Sequence, residues 1–149
     1  MEKTRESLTA AMDYKWRVQG VKFNKASCVA YIDARQVMDR LDDVVGIGNW
    51  QDSYEVIGGN MYCHLSIKIN DEWITKTDCG TESNVEQEKG QASDAFKRAA
   101  VKWGIGRFLY SLEIIRLDAD GNTPVYNGKK LYGDMVSKAC NYILSKKSK

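Results

Sequence analysis

The 149-residue chain has one proline, one histidine and four cysteines, and each scarcity closes off a class of explanation. With 43% hydrophobic and 28% charged residues, the composition is that of a packed domain and not of a disordered chain. Cys28, Cys63, Cys79 and Cys140 are widely scattered, no C-x-x-C pair occurs, and His64 is the sole histidine. A structural zinc site would need far-apart ligands, so no metal is expected; four reduced, mostly buried thiols in a cytosolic protein are. No window approaches 18 consecutive apolar residues, so no membrane span is expected. The stretch Met1–Glu6 is charged and no apolar run follows it, which predicts no secretory signal.

Catalytic motifs are equally scarce. A phosphate-binding P-loop needs G-x-x-x-x-G-K-[ST]. Before Gly128-Lys129 the first glycine position holds Thr123, and Lys130 stands where Ser or Thr belongs. No nucleotide cofactor and no ATP-driven strand exchange are therefore expected. A restriction-type nuclease core places an acid two residues before a lysine on a strand. Asp13-Tyr14-Lys15 has that spacing but lies outside the predicted strands. No G-x-S-x-G elbow occurs, and a lone histidine limits triad chemistry. Asp118-Ala119-Asp120-Gly121-Asn122 hints at a calcium loop, but its glycine comes two places early and Lys129 occupies the position of the closing Glu. A plain surface turn is expected there.

What is present is clear periodicity. Residues 1–13 form a short predicted helix with Leu8, Ala11 and Met12 on one side. From Ala34 the apolar positions Val37, Met38, Leu41, Val44 and Val45 have helical spacing, with Asp33 as N-cap and Gly46 as stop. Trp50, Tyr54 and Val56 alternate, and Gly58-Gly59-Asn60 marks a hairpin turn. Met61, Cys63, Leu65, Ile67 and Ile69 then alternate with Tyr62, His64, Ser66 and Lys68, so one face is core and one is wet. Asn70-Asp71-Glu72 turns the chain into a third strand, Trp73 to Cys79. Ser83-Asn84-Val85-Glu86 fits a capping box. The helix it opens carries Val85, Ala92, Phe96, Ala99, Ala100 and Trp103 on one face and ends at Gly104 and Gly106. Glu113 to Leu117 reads as a short strand. From Leu131 a final helix follows, with Met135, Val136, Ala139, Tyr142 and Ile143 as its stripe. The expected fold is α+β: a three-stranded antiparallel β-meander packed on a long helix, a β-β-β-α core with flanking N- and C-terminal helices. One domain is expected over residues 1–149, with a frayed basic tail at 145–149. Trp50, Trp73 and Trp103 are expected in the core, and His64 as a simple exposed or half-packed residue.

Net charge is only +2, but its distribution is uneven. Between Asp33 and Glu55 six acids face Arg35 and Arg40; between Lys89 and Arg107 five bases face Asp94 alone. Lys89, Ser93 and Lys97 stand at i, i+4, i+8, and Arg98 and Lys102 form an adjacent row. Such rows can follow a phosphate backbone. By spacing alone a solvated helix face explains them equally well, and Asp94 beside the row weighs toward that simpler reading.

Three segments resemble the Rad52 family: Tyr31-Ile32-Asp33-Ala34-Arg35, Gly46-Ile47-Gly48-Asn49-Trp50 and, most specifically, Ser93 to Tyr110 with its Phe96-Lys97-Arg98-Ala99-Ala100 centre. The resemblance covers roughly residues 14 to 112 and is to the N-terminal annealing domain, especially its bacteriophage relatives of the Sak type. It implies assembly into rings or helices, with single-stranded DNA in a basic groove and annealing without ATP. Some family members also load recombinases or contact single-strand-binding proteins. Lys97 and Arg98 match the family's DNA-contacting Lys-Arg pair. The eukaryotic members' arginine after the Tyr-Ile-acid motif falls in register on Gln36, with Arg35 one place earlier, and their tyrosine between glycines is Ile47 here. The expected function is single-strand DNA binding and annealing in recombination and double-strand break repair. The expected compartment is a bacterial or phage-infected cytoplasm. Lys97, Arg98, Lys102, Arg107, Lys89 and Arg35 are the expected DNA contacts, and no catalytic residue is expected. The alternative is a small metal-dependent nuclease or phosphate-handling enzyme that reuses the basic helix, for which the meander offers few converging acids.

Overall fold

A computed structural model describes residues 2–80 and 87–147, with the backbone alone for Glu2 and residues 87–89. In chain order the elements are α1 (Glu2–Thr9), β1 (Lys15–Lys22), β2 (Lys25–Tyr31), α2 (Ala34–Val44), β3 (Trp50–Ile57), β4 (Asn60–Ile69), β5 (Glu72–Cys79), α3 (Gln87–Lys102), a 3-10 turn (Arg107–Ser111), β6 (Ile115–Asp120), β7 (Thr123–Tyr126), β8 (Lys129–Lys130) and α4 (Asp134–Lys147). The fold is α+β. The chain divides into two compact units, one of residues 1–12 and 32–108, the other of residues 13–31 and 109–149.

The first unit contains the expected meander, in order β3-β4-β5. Gly58 and Gly59 (φ 59° and 84°) make the first two-residue turn, and Asn70 and Asp71 (φ 50° and 65°) the second. Both turns need left-handed backbone at both positions, which glycine and Asn/Asp tolerate best. Alternation along β4 buries Cys63, Leu65 and Ile67 completely. Burial pushes the Cys63 thiol up to about 11 and so keeps it neutral. Against this face α3 lays Ala95, Phe96, Ala99, Ala100 and Trp103, and the alanines let the helix approach the sheet closely. The Trp103 indole donates to the Leu65 carbonyl (3.1 Å), which satisfies a polar group that burial would otherwise strand. The Ser83–Glu86 capping box lies outside the described residues.

Gly80 leaves β5 where the chain passes beneath α3. Its N–H donates to the Met61 carbonyl (2.9 Å), and a Cβ there would overlap the carbonyl oxygen of Gln91. Gly80→Ala is therefore expected to cost about 1–3 kcal/mol through overpacking. A urea melt checks it: an unchanged midpoint would mean that this contact relaxes freely.

α2 begins as its sequence predicts. The Asp33 carboxylate accepts from the Gln36 N–H (2.8 Å), and the Gln36 side-chain oxygen accepts from the Asp33 N–H (3.0 Å). Gly46 (φ 99°) ends it, donating to Leu41 and Asp42 carbonyls. Among the described residues Arg40 pairs with no acid. Its guanidinium instead gathers the carbonyls of Ser7, Leu8 and Ala10 (2.9, 3.1 and 2.8 Å) and so caps the end of α1. That capture explains why α1 stops at Thr9 and leaves Ala11 exposed, short of the predicted 1–13.

The second unit holds a sheet of order β1-β2-β6-β7-β8, antiparallel throughout, with α4 on one face. Trp16, Cys28, Ile115, Leu117, Leu131, Val136, Ala139 and Cys140 form its core. The Trp16 backbone N–H donates to Ser137 (3.0 Å) and its indole to Asn141 (2.9 Å), which fixes β1 to α4. The Cys28 and Cys140 thiols share a hydrogen bond. That partner, together with burial, pushes Cys140 far above the ordinary thiol range.

Several particulars differ from the sequence reading. The sequence pattern does not predict the β1-β2 hairpin, β7 or β8. The strand placed at Glu113–Leu117 runs Ile115–Asp120, and the final helix starts at Asp134, not Leu131. Met135 and Tyr142, assigned to the stripe of that helix, are exposed. Trp73, assigned to the core, is 45% exposed. It lies on the side of β5 opposite to Ile74 and Lys76, away from α3. Trp50 is half-buried, its ring 6.0 Å from Phe96 and its indole bonded to Asp42 (2.8 Å).

Candidate nucleic-acid interface

The basic residues of α3 spread around its outer surface, because successive residues turn by about 100°. Lys97 is half-buried and its ammonium donates to the Ile32 carbonyl (3.2 Å). Arg98 pairs with Asp94 one turn earlier (3.1 Å), with both side chains partly exposed. That i,i+4 pair is the acid contact expected of a solvated face, and it ties up part of the Arg98 charge. Lys102, one turn beyond Arg98, is exposed and its ammonium contacts the Thr77 carbonyl. Arg107 is exposed and folds back on the helix end. Its Nε and Nη2 donate to the Val101 and Lys102 carbonyls, both at 2.8 Å. Cations suit this end of a helix, where the last carbonyls lack partners. The side chain of Lys89 lies outside the described residues. Arg35 is exposed in the first turn of α2, on a different element from the rest of the set.

Lys102 and Arg107 line one cleft, and the structure brings two further cations to it. Arg5 comes from α1 and Lys76 from β5; the cleft has a volume of about 470 Å³. Lys76 lies over the Trp103 ring, 5.1 Å from its centroid. Sequence reasoning missed both. The signal for Lys76 is its parity with Ile74, which puts a lysine on the helix-facing side of β5. Arg5 has no local signal.

His64 bonds Thr77 (2.7 Å) and Glu55 (2.5 Å) across the outer side of the sheet, a half-packed residue in a polar ladder. Among the described residues no three His, Cys, Asp or Glu side chains converge to hold a metal, and no helix is long and apolar enough to cross a membrane. The β6-β7 connection at Gly121 is a tight turn, as expected of Asp118–Asn122.

The class this architecture defines is a small α+β domain with a basic helix on one face of an antiparallel meander. Residues 2–120 match the Rad52/22 family of double-strand break repair proteins, and the chain belongs to that family. It is 39% identical over 90 residues to the single-stranded DNA-binding protein DdrA of Deinococcus radiodurans, covering 59% of this chain and 43% of that protein. The DdrA of Deinococcus deserti is 38% identical over 91 residues, covering 60% of this chain and 45% of that protein. The matched region thus spans less than half the length of either relative.

Proposed function

We propose that this protein binds single-stranded DNA along α3 and anneals complementary strands without ATP and without making or breaking a covalent bond. The observation that carries the reading is the run Lys97, Arg98, Lys102 and Arg107 inside the family-matched segment. Lys102 and Arg107 are exposed and make no ion pair with a described residue. Lys89 and Arg35 complete the proposed contact set. Phosphates held by charge leave the bases free to test a second strand by ordinary pairing, and binding is then neutral to sequence. The DdrA relatives are named for single-stranded DNA binding, which supports the ligand.

The active form is a ring or helical oligomer. β3 is an edge strand whose outer end exposes Val56 (64%) and Ile57 (52%), with Ile47 (81%) in the preceding loop. Bare strand edges and apolar surface of this kind favour pairing with another copy. Single-strand-binding proteins or recombinases are further partners, and the compartment is a bacterial or phage-infected cytoplasm.

Annealing of two complementary fluorophore- and quencher-labelled oligonucleotides is expected to proceed in EDTA without nucleotide, by a species larger than a dimer on light scattering. A strict requirement for ATP or a divalent metal, or a stable 16.9 kDa monomer with and without DNA, would overturn the proposal.

A further inference from the structure

We propose that the cleft formed by Arg5, Lys76, Lys102 and Arg107 is a phosphate-binding site that receives the backbone of the bound single strand. The proposal rests on the single-strand binding reading and extends it to two residues, Arg5 and Lys76, that belong to other elements, α1 and β5. Four cations from α1, β5, the end of α3 and the turn after it converge on one concavity, and no acid is among its described lining residues. Like charges gathered this way repel one another, and folding alone would favour an interspersed carboxylate.

The partners of these cations are the second observation. Lys102 contacts the Thr77 carbonyl, Arg107 the Val101 and Lys102 carbonyls, and Lys76 the face of the Trp103 ring. These groups are all uncharged. They orient the cations and leave their charge available, although the end of α3 offsets part of that of Arg107. Among the described residues none of the four makes an ion pair. Trp103 is held by its own hydrogen bond to Leu65 and provides a fixed wall, so the cleft is formed before any ligand arrives. Arg5 is placed in turn by Arg40, which ties the end of α1 to α2. A positive, preformed concavity of this size fits phosphate oxygens, from a nucleic-acid chain or from a free polyphosphate.

The test uses the whole chain with Arg5→Gln, Lys76→Gln and the double variant, titrated with oligo-dT over a salt series. The double variant is expected to lose about fivefold in affinity per missing contact at 0.1 M salt, and about 0.7 in salt slope for each. The charge-keeping Arg5→Lys and Lys76→Arg variants are expected to restore binding, which separates charge from lost packing on Trp103. Wild-type affinity and slope in a folded double variant, alongside weakened Lys97→Ala, would overturn the cleft and leave the single-strand reading standing. In a second arm, inorganic triphosphate is titrated while amide chemical shifts are followed. Shifts around Arg5 and Lys76 with wild-type protein that ignores oligo-dT would keep an anion site while the single-strand reading fails, with a free polyphosphate as its ligand. Silence in both arms would overturn both proposals.

Discussion

Phe96→Ala is expected to lower the stability of the protein by about 3–5 kcal/mol, a large share of the total for a domain of ordinary stability. Phe96 is 3% exposed, faces the inner side of the meander and has the Trp50 ring as a neighbour at 6.0 Å. Its removal leaves a void between α3 and β4. Cys63, Leu65 and Ile67 are already wholly buried there and have little freedom to collapse into it. The cost is the lost transfer energy of the ring together with that of the cavity. Because α3 carries the proposed DNA contacts, binding is expected to fall with folding, at the same temperature. A thermal melt by circular dichroism beside a binding curve at matched temperatures checks this. A midpoint within a few degrees of wild type would show that Phe96 does not anchor α3.

Lys97→Ala with Arg98→Ala is expected to do the reverse: leave the fold in place and weaken single-strand binding about 25-fold at 0.1 M salt, about fivefold for each lost phosphate contact. The stability cost is small for physical reasons. The Arg98–Asp94 pair is partly exposed and therefore worth at most about 1 kcal/mol. The Lys97 ammonium gives up a part-buried contact to the Ile32 carbonyl, itself a modest interaction. Loss of the Arg98 cation also removes the positive partner of Asp94 beside the proposed path, which makes that path less attractive to phosphate without touching the core. In an oligomer the loss repeats in every subunit along one strand. The measurement is a salt-titrated binding curve with a sizing run and a melt. An unchanged salt slope in a folded, assembled double variant would reduce α3 to a solvated face, as its spacing alone allows.

Much of the first unit was legible in the residues. The alternation from Met61 to Ile69 reports its buried face because strand side chains point to opposite sides in turn. Asp33 and Gly46 bound α2 because capping is chemistry between neighbours. The β1-β2 hairpin was not legible. Its alternation is broken by an irregularity between Val18 and Gly20, and its inward residues Ala26 and Cys28 are small. Its turn uses Phe23 and Asn24 at positive φ where a glycine would have signalled it.

By itself, then, the sequence determined what depends on near neighbours: the periods of β4 and α3, the turn at Gly58-Gly59, the caps of α2 and the clustering of bases from Lys97 to Arg107. The tertiary structure alone decided which distant segments share a sheet and which faces are covered. It put β2 beside β6, left Trp73 exposed on a side of β5 that α3 does not reach, and carried Arg5 and Lys76 to the cleft of Lys102 and Arg107. Strand partners and cation clusters of this kind are joined by long loops whose closure leaves no local mark. Their cost grows only slowly with chain length and is offset by burial elsewhere in the fold.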